Sequence, residues 1–178
     1  MALIKTKAIV LSFLKYGDTS LIVRCFTLED GLKSYLLKGV LSAKKGKIKA
    51  AYFQPLTQLN IEANHNNKSN LNSIREVHIV NPYQHIYTNI FKQTIVLFLS
   101  EILSSTIQEE ESNKGLFSFL ETSFIWLDTN DKTSNFHLLF LINLTRFLGF
   151  YPDTSKINYP YFNLMDGNFT ESATAKEV

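Results

Sequence analysis

The side chains that could do chemistry are few and scattered along the chain. The four histidines are His65 in a loop, His78 on a strand, His85 near a helix start and His137 in a late helix, and no two stand at metal-ligand spacing. The single cysteine, Cys25, excludes an internal disulfide and sits inside an apolar run, where a small core residue is expected. Adjacent acids occur in Glu109-Glu110-Glu111 and Glu29-Asp30. The first is a run between apolar segments and the second belongs to a turn, so solvated carboxylates are expected rather than an acid–base pair. Gly46-Lys47 lacks both the earlier glycine and the following Ser/Thr of a phosphate loop. No catalytic constellation and no cofactor or metal ligand set emerges. The chain reads as a binding protein, not an enzyme.

The residues that do form a pattern are cationic. Between positions 38 and 49 stand Lys38, Lys44, Lys45, Lys47 and Lys49, with two glycines and no acid. Such a run cannot bury itself, because each ammonium must stay solvated or find an anion. The segments on either side are apolar and rich in strand formers. A cationic loop presented by a folded scaffold is a common way to meet a polyanion, whereas an isolated lysine run is more often a solvated loop. The charge balance favours the first reading. Residues 1–80 carry twelve Lys/Arg against five Asp/Glu, a charge of +7, and residues 81–178 carry six against eleven, a charge of −5. The modest net charge of +2 is therefore a basic half joined to an acidic one.

The elements that must position the loop are short strands. Residues 5–14 form a β-branched and apolar run ended by Tyr16-Gly17-Asp18, and residues 20–27 resume it with Leu21, Val23 and Cys25 on one face. Asp30-Gly31 supplies the positive φ of a tight turn. A third strand, residues 32–37, leads into the lysines. Residues 55–63 and 71–80 give two more, separated by the polar stretch 64–70. Five strands in about eighty residues, with frequent turn signals, is the rhythm of a small closed barrel or a sandwich. At Asn81-Pro82, a good cap and first position, the period changes to helical. Helices follow around Ile95–Leu103, Leu116–Leu127 and Phe136–Leu148, the last closed by Gly149 and Pro152. The expected class is α+β, with residues 1–80 as a barrel domain and 81–178 as a helical domain. Tyr161-Phe162-Asn163-Leu164 and Phe169 flank Asp166-Gly167, which suggests a small hairpin within residues 159–170. The patternless stretch from Thr170 suggests that the chain stops before a natural domain end. No apolar stretch is long and uncharged enough to span a bilayer and no signal peptide is recognisable, so a soluble, cytoplasmic protein is expected.

A small barrel with a basic loop is suited to single-stranded nucleic acid, held by a cationic groove with aromatic stacking platforms. The candidate cations are Lys38, Lys44, Lys45, Lys47 and Lys49, with Arg24 and Lys33 on nearby strands. The candidate stackers are Tyr35 and Tyr52 and also Phe53, for all of which core packing is the stronger expectation. Lysines without clusters of base-reading side chains imply little sequence preference.

The order of short motifs resembles a known family. Thr6-Lys7-Ala8-Ile9-Val10-Leu11, Tyr16-Gly17-Asp18-Thr19-Ser20-Leu21-Ile22-Val23, Phe26-Thr27-Leu28-Glu29-Asp30-Gly31-Leu32, Lys38-Gly39-Val40, Gln54-Pro55-Leu56 and Phe147-Leu148-Gly149-Phe150-Tyr151-Pro152-Asp153 are similar in sequence and spacing to the RecO family of bacterial DNA repair and recombination mediators. The resemblance covers nearly the whole chain. It implies an N-terminal five-stranded OB-fold barrel followed by an α-helical domain. It implies binding of single- and double-stranded DNA, annealing of complementary strands, and work with RecR and with the single-stranded DNA-binding protein so that RecA can load. Its basic loop falls on Lys38 to Lys49. The acidic C-terminal tail of the single-stranded DNA-binding protein is then expected on the helical domain, with Arg146 as a contact. Many members carry a four-cysteine zinc module after the segment matching Tyr151-Pro152; this chain has no such cysteines there, and residues 161–169 stand in its place. Members also run further at the C-terminus. The competing readings are an RNA-binding OB protein and a non-catalytic structural adaptor.

Overall fold

Alternation in the second strand decides how the first half folds. In β2 (Ser20–Thr27), Leu21, Val23 and Cys25 point into one core, joined there by Tyr35, Leu37, Leu59 and Ile61 from other strands. The computed structural model describes residues 2–42, 48–65 and 71–173. Within these, β1 (Ala2–Tyr16), β2, β3 (Gly31–Leu37), β4 (Gln58–His65) and β5 (Leu71–Ile79) close into a barrel in the order β1-β2-β3-β5-β4. Neighbours are antiparallel except at the β3–β5 seam, where Ser34 lies beside Leu71 and Tyr35 beside Asn72. This is the expected closed five-stranded barrel followed by helices.

The first strand serves two neighbours. Its early half, Ala2 to Ile9, pairs with β4, and its later half, Ala8 to Tyr16, pairs with β2. A register shift between Val10 and Ser12 redirects the strand from one partner to the other, as bulges do at barrel corners. As a result the last residues of β1 extend past the β4 pairing and pair only with β2, which β3 flanks on its other side.

The chain divides into two compact units, Met1–Ser134 and Asn135–Val178. In the first, α1 (Ile90–Thr106) and α2 (Lys114–Thr129) accompany the barrel. Asn81-Pro82 suggests a helix start, but α1 begins at Ile90, capped by the Asn89 side chain accepting from Phe91 N and Lys92 N. The physical reason lies far away in sequence. The Asp128 carboxylate accepts the backbone N–H groups of Gln84, His85 and Ile86 at 2.8–2.9 Å, while Tyr83 and Tyr87 donate hydroxyls to the Leu56 and Pro55 carbonyls. Those bonds hold residues 83–87 in turns. The buried Lys92 ammonium donates to the Asp128 carbonyl at 2.7 Å, which ties α1 to the end of α2.

The second unit contains α3 (Phe136–Leu144), then turns up to Gly149 at φ +82°, so the regular helix is shorter than its apolar period suggests. The expected hairpin is present. Strand β6 (Tyr161–Asn163) pairs with β7 (Asn168–Thr170), and the Phe162 and Phe169 rings meet edge-on at 5.0 Å.

Candidate nucleic-acid interface

The lysine segment stands between two anchored feet at one end of the barrel. On the near side, Leu41 N donates to Thr19 O at 2.8 Å and Ser42 Oγ to Gly39 O at 2.7 Å, a turn that Gly39 permits at φ +70°. Gly39 N reaches Ser20 Oγ at 3.4 Å, so this foot rests on the β1–β2 hairpin. On the far side, residues 50–53 form a short 3-10 helix with Phe53 fully buried. Val40, Ile48, Ala50 and Tyr52 from both feet pack partly buried against the barrel core. The apolar feet thus stand on the core while Lys38 and Lys49 point outward, exposed. Lys44, Lys45 and Lys47 lie outside the described residues.

The structure also brings to this rim a cation that the lysine run does not include. Lys15 faces Leu21, which faces Leu37, so about 10 Å, two strand spacings, separates Lys15 from the end of β3. Among the described residues no carboxylate lies within ion-pair distance of Lys15, Lys38 or Lys49. Around the same tip Phe13, Leu14, Tyr16 and Leu41 are exposed. The sequence signal for Phe13 and Leu14 is the length of the first apolar run, and Tyr16 and Leu41 lie outside it.

Arg24 and Lys33 are placed elsewhere. Arg24 is half-buried against α1, donating to Ser104 O at 3.3 Å, Ser104 Oγ at 3.2 Å and Gln108 Oε1 at 3.4 Å. Lys33 lies roughly 13 Å down β3 from Leu37, four residues at about 3.3 Å each, and its ammonium meets Glu110 at 3.0 Å. Neither joins the rim. Tyr35 is fully buried, its hydroxyl 3.0 Å from His65 Nε2, and burial pushes its pKa upward. A ring enclosed on both faces is a core residue, and no base can stack on it. Tyr52 keeps part of its surface at the far foot. His65 itself is buried beside Asp30 and Lys33. Burial lowers its pKa, the Asp30 carboxylate opposes this, and Lys33 adds to it. In the second unit, Arg146 is exposed, donating to the Tyr151 hydroxyl at 2.8 Å with its guanidinium 4.1 Å above that ring. Among the described residues no three His, Cys, Asp or Glu side chains gather as a metal-binding group.

The family profile described as Recombination protein O N terminal matches residues 1–83, and that described as Recombination protein O C terminal matches residues 87–169. A protein of Flavobacterium johnsoniae named DNA repair protein RecO is 56% identical over 167 residues, covering 94% of this chain and 70% of the relative. The proteins of that name from Flavobacterium psychrophilum and Bacteroides fragilis are 53% and 41% identical, over 94% and 93% of this chain and 70% and 69% of their own lengths.

Proposed function

Because the chain belongs to the RecO family of DNA repair proteins, we propose that it holds DNA on the cationic rim of its barrel and anneals complementary strands there. The observation that supports this most is the set of ammonium groups without carboxylate partners among the described residues, Lys15, Lys38 and Lys49, flanking a segment that adds Lys44, Lys45 and Lys47. Annealing asks for no bond chemistry. A cationic surface that holds two strands screens their mutual repulsion and raises their local concentration. The protein acts without catalysis, on single- and double-stranded DNA.

The partners belong to the same proposal. RecR works with the chain, the acidic tail of the single-stranded DNA-binding protein docks at Arg146, and RecA benefits indirectly by loading on the cleared strand. The Arg146 guanidinium spends one donor on Tyr151 and keeps others for a carboxylate. The work takes place in the cytoplasm at the nucleoid; among the described residues no helix is long and apolar enough to cross a membrane.

Replacing Lys44, Lys45, Lys47 and Lys49 together with alanine tests the reading. DNA binding should fall at least a hundredfold, because every ammonium removed leaves one phosphate's counterions in place and forfeits their release. The melting temperature should stay nearly unchanged, since Lys49 is exposed and an acid-free lysine run keeps its ammonium groups in water. Unaltered affinity in that variant would refute the assignment of the rim.

A further inference from the structure

The outer face of the β1–β2 hairpin carries an apolar patch that the cations alone do not explain. Cross-strand pairing places Leu14 opposite Ile22 and Ile22 opposite Leu36, with Tyr16 opposite Ser20 at the tip. Side chains of paired residues share a face, so Leu14, Ile22 and Leu36 form a row and Tyr16 stands above it. Leu14 is 66% exposed and Tyr16 55%, while Ile22 and Leu36 are half-buried beneath them. The Tyr16 side chain makes no hydrogen bond and no ring contact among the described residues. Single exposed apolar residues are ordinary, but a contiguous exposed row marks a contact surface.

The neighbours of this row identify its occupant. Lys38 follows β3 at the same corner, and Gly39 N is bonded to Ser20 Oγ, directly across from Tyr16. Lys15 stands beside Tyr16 on the opposite face of the hairpin, and neither lysine has a carboxylate partner among the described residues. A ligand that satisfies both the ammonium groups and the flat apolar surface must carry anions next to exposed ring faces. Unpaired nucleotides do this. A duplex offers the same phosphates but keeps its base faces inside the stack.

We propose that Tyr16 and Leu14 form a stacking platform for unpaired bases, so that this end of the barrel favours single-stranded DNA over duplex. The inference rests on the DNA reading above and adds a residue-level source of strand selectivity to it. Phosphate contacts serve both forms of DNA, and stacking serves one. Base–aromatic stacking is sequence-tolerant, because every base has a π-face. It releases no counterions, so it changes affinity without changing salt dependence.

The test is a fluorescence-anisotropy titration of the full chain with a labelled oligothymidine and with a duplex of equal length. Tyr16→Ala should weaken single-strand affinity about tenfold, leave duplex affinity unchanged, and leave the salt slope on both unchanged. Tyr16→Phe, which keeps the ring, should stay within about twofold of wild type. The indole of Tyr16→Trp should be quenched by the oligothymidine and not by the duplex. Equal losses on both forms, or no loss on the single strand, would overturn the proposal even though wild type binds. A wild-type chain that binds neither form would overturn the DNA reading and this inference with it. Thermal unfolding of each variant, expected at the wild-type temperature because Tyr16 is exposed, shows that the affinities belong to folded protein.

Discussion

The two ends of the barrel use the same residue type for opposite purposes. At the end where β2 turns into β3, the charges are met. Lys33 pairs with Glu110 at 3.0 Å, Lys114 with Glu29 at 3.3 Å, and the His65 imidazole lies 3.4 Å from the Asp30 carboxylate. The acidic run between the helices is stapled here by its backbone as well, with Leu32 N donating to Glu109 O at 3.0 Å. At the other end Lys15, Lys38 and Lys49 have no carboxylate within reach among the described residues. Charge at the first end fastens the linker to the barrel, and charge at the second has no carboxylate partner among the described residues. Among the described residues, acids of the helical segment meet Lys7 and Lys33, while Lys15, Lys38 and Lys49 have no such partner.

The contrast can be broken from its closed end first. Gly31 sits at φ +62°, and a Cβ there would collide with the Glu111 and Glu109 carbonyl oxygens, which are backbone and cannot step aside. Gly31→Ala should therefore cost at least about 2 kcal/mol in urea unfolding, combining left-handed strain with that overlap. DNA affinity of the folded fraction should be unchanged.

The next effect concerns the anchor between the helices. Asp128→Ala strands three backbone N–H groups and should cost about 2 kcal/mol, within the range for buried unsatisfied donors. Burial pushes the Asp128 carboxyl up, but the backbone N–H bonds from Gln84, His85 and Ile86 outweigh it, and the net shift is downward. A carboxyl with a depressed folded-state pKa contributes stability that is present above its unfolded value of about 3.9 and is lost as pH falls through the folded value. Acid unfolding followed by circular dichroism should accordingly lose its steepest limb in Asp128→Asn.

A smaller effect is expected at the linker staple. Glu110 is 71% exposed, so Lys33→Gln or Glu110→Gln should change stability by less than about 1 kcal/mol. Both should leave DNA affinity where it was. A marked gain in affinity in Glu110→Gln would show that the linker shields a DNA-binding cation, and the distinction between the two ends would fail.

Most of this architecture is legible in the chain. The alternation of Leu21, Val23 and Cys25 marks the core face, and Asp30-Gly31 marks the turn that the structure places at φ +62°. These are local signals, set by strand period and glycine conformation. What cannot be read depends on partners distant in sequence. Asn81-Pro82 looks like a helix start, yet Asp128 takes the N–H groups of residues 84–86 and delays the helix to Ile90. Arg24 and Lys33 look like free strand cations until Ser104, Gln108 and Glu110 arrive from the helical segment. Tyr35 shares its parity with Leu37 and so faces inward, which alternation alone shows. Tyr16 looks like an ordinary turn residue, because nothing local reveals that β1 leaves β4 at Ile9 and carries its last residues on beside β2 alone.

The most direct test of the unequal ends is the salt dependence of single-stranded DNA binding. Neutralising Lys15, Lys38 and Lys49 together to glutamine should lower the magnitude of the slope of log K against log salt by about 2, at roughly 0.7 per phosphate contact. Lys33→Gln should leave the slope unaltered. A slope that stays constant in the triple variant, or falls equally with Lys33→Gln, would contradict a rim whose charge is held in reserve for DNA.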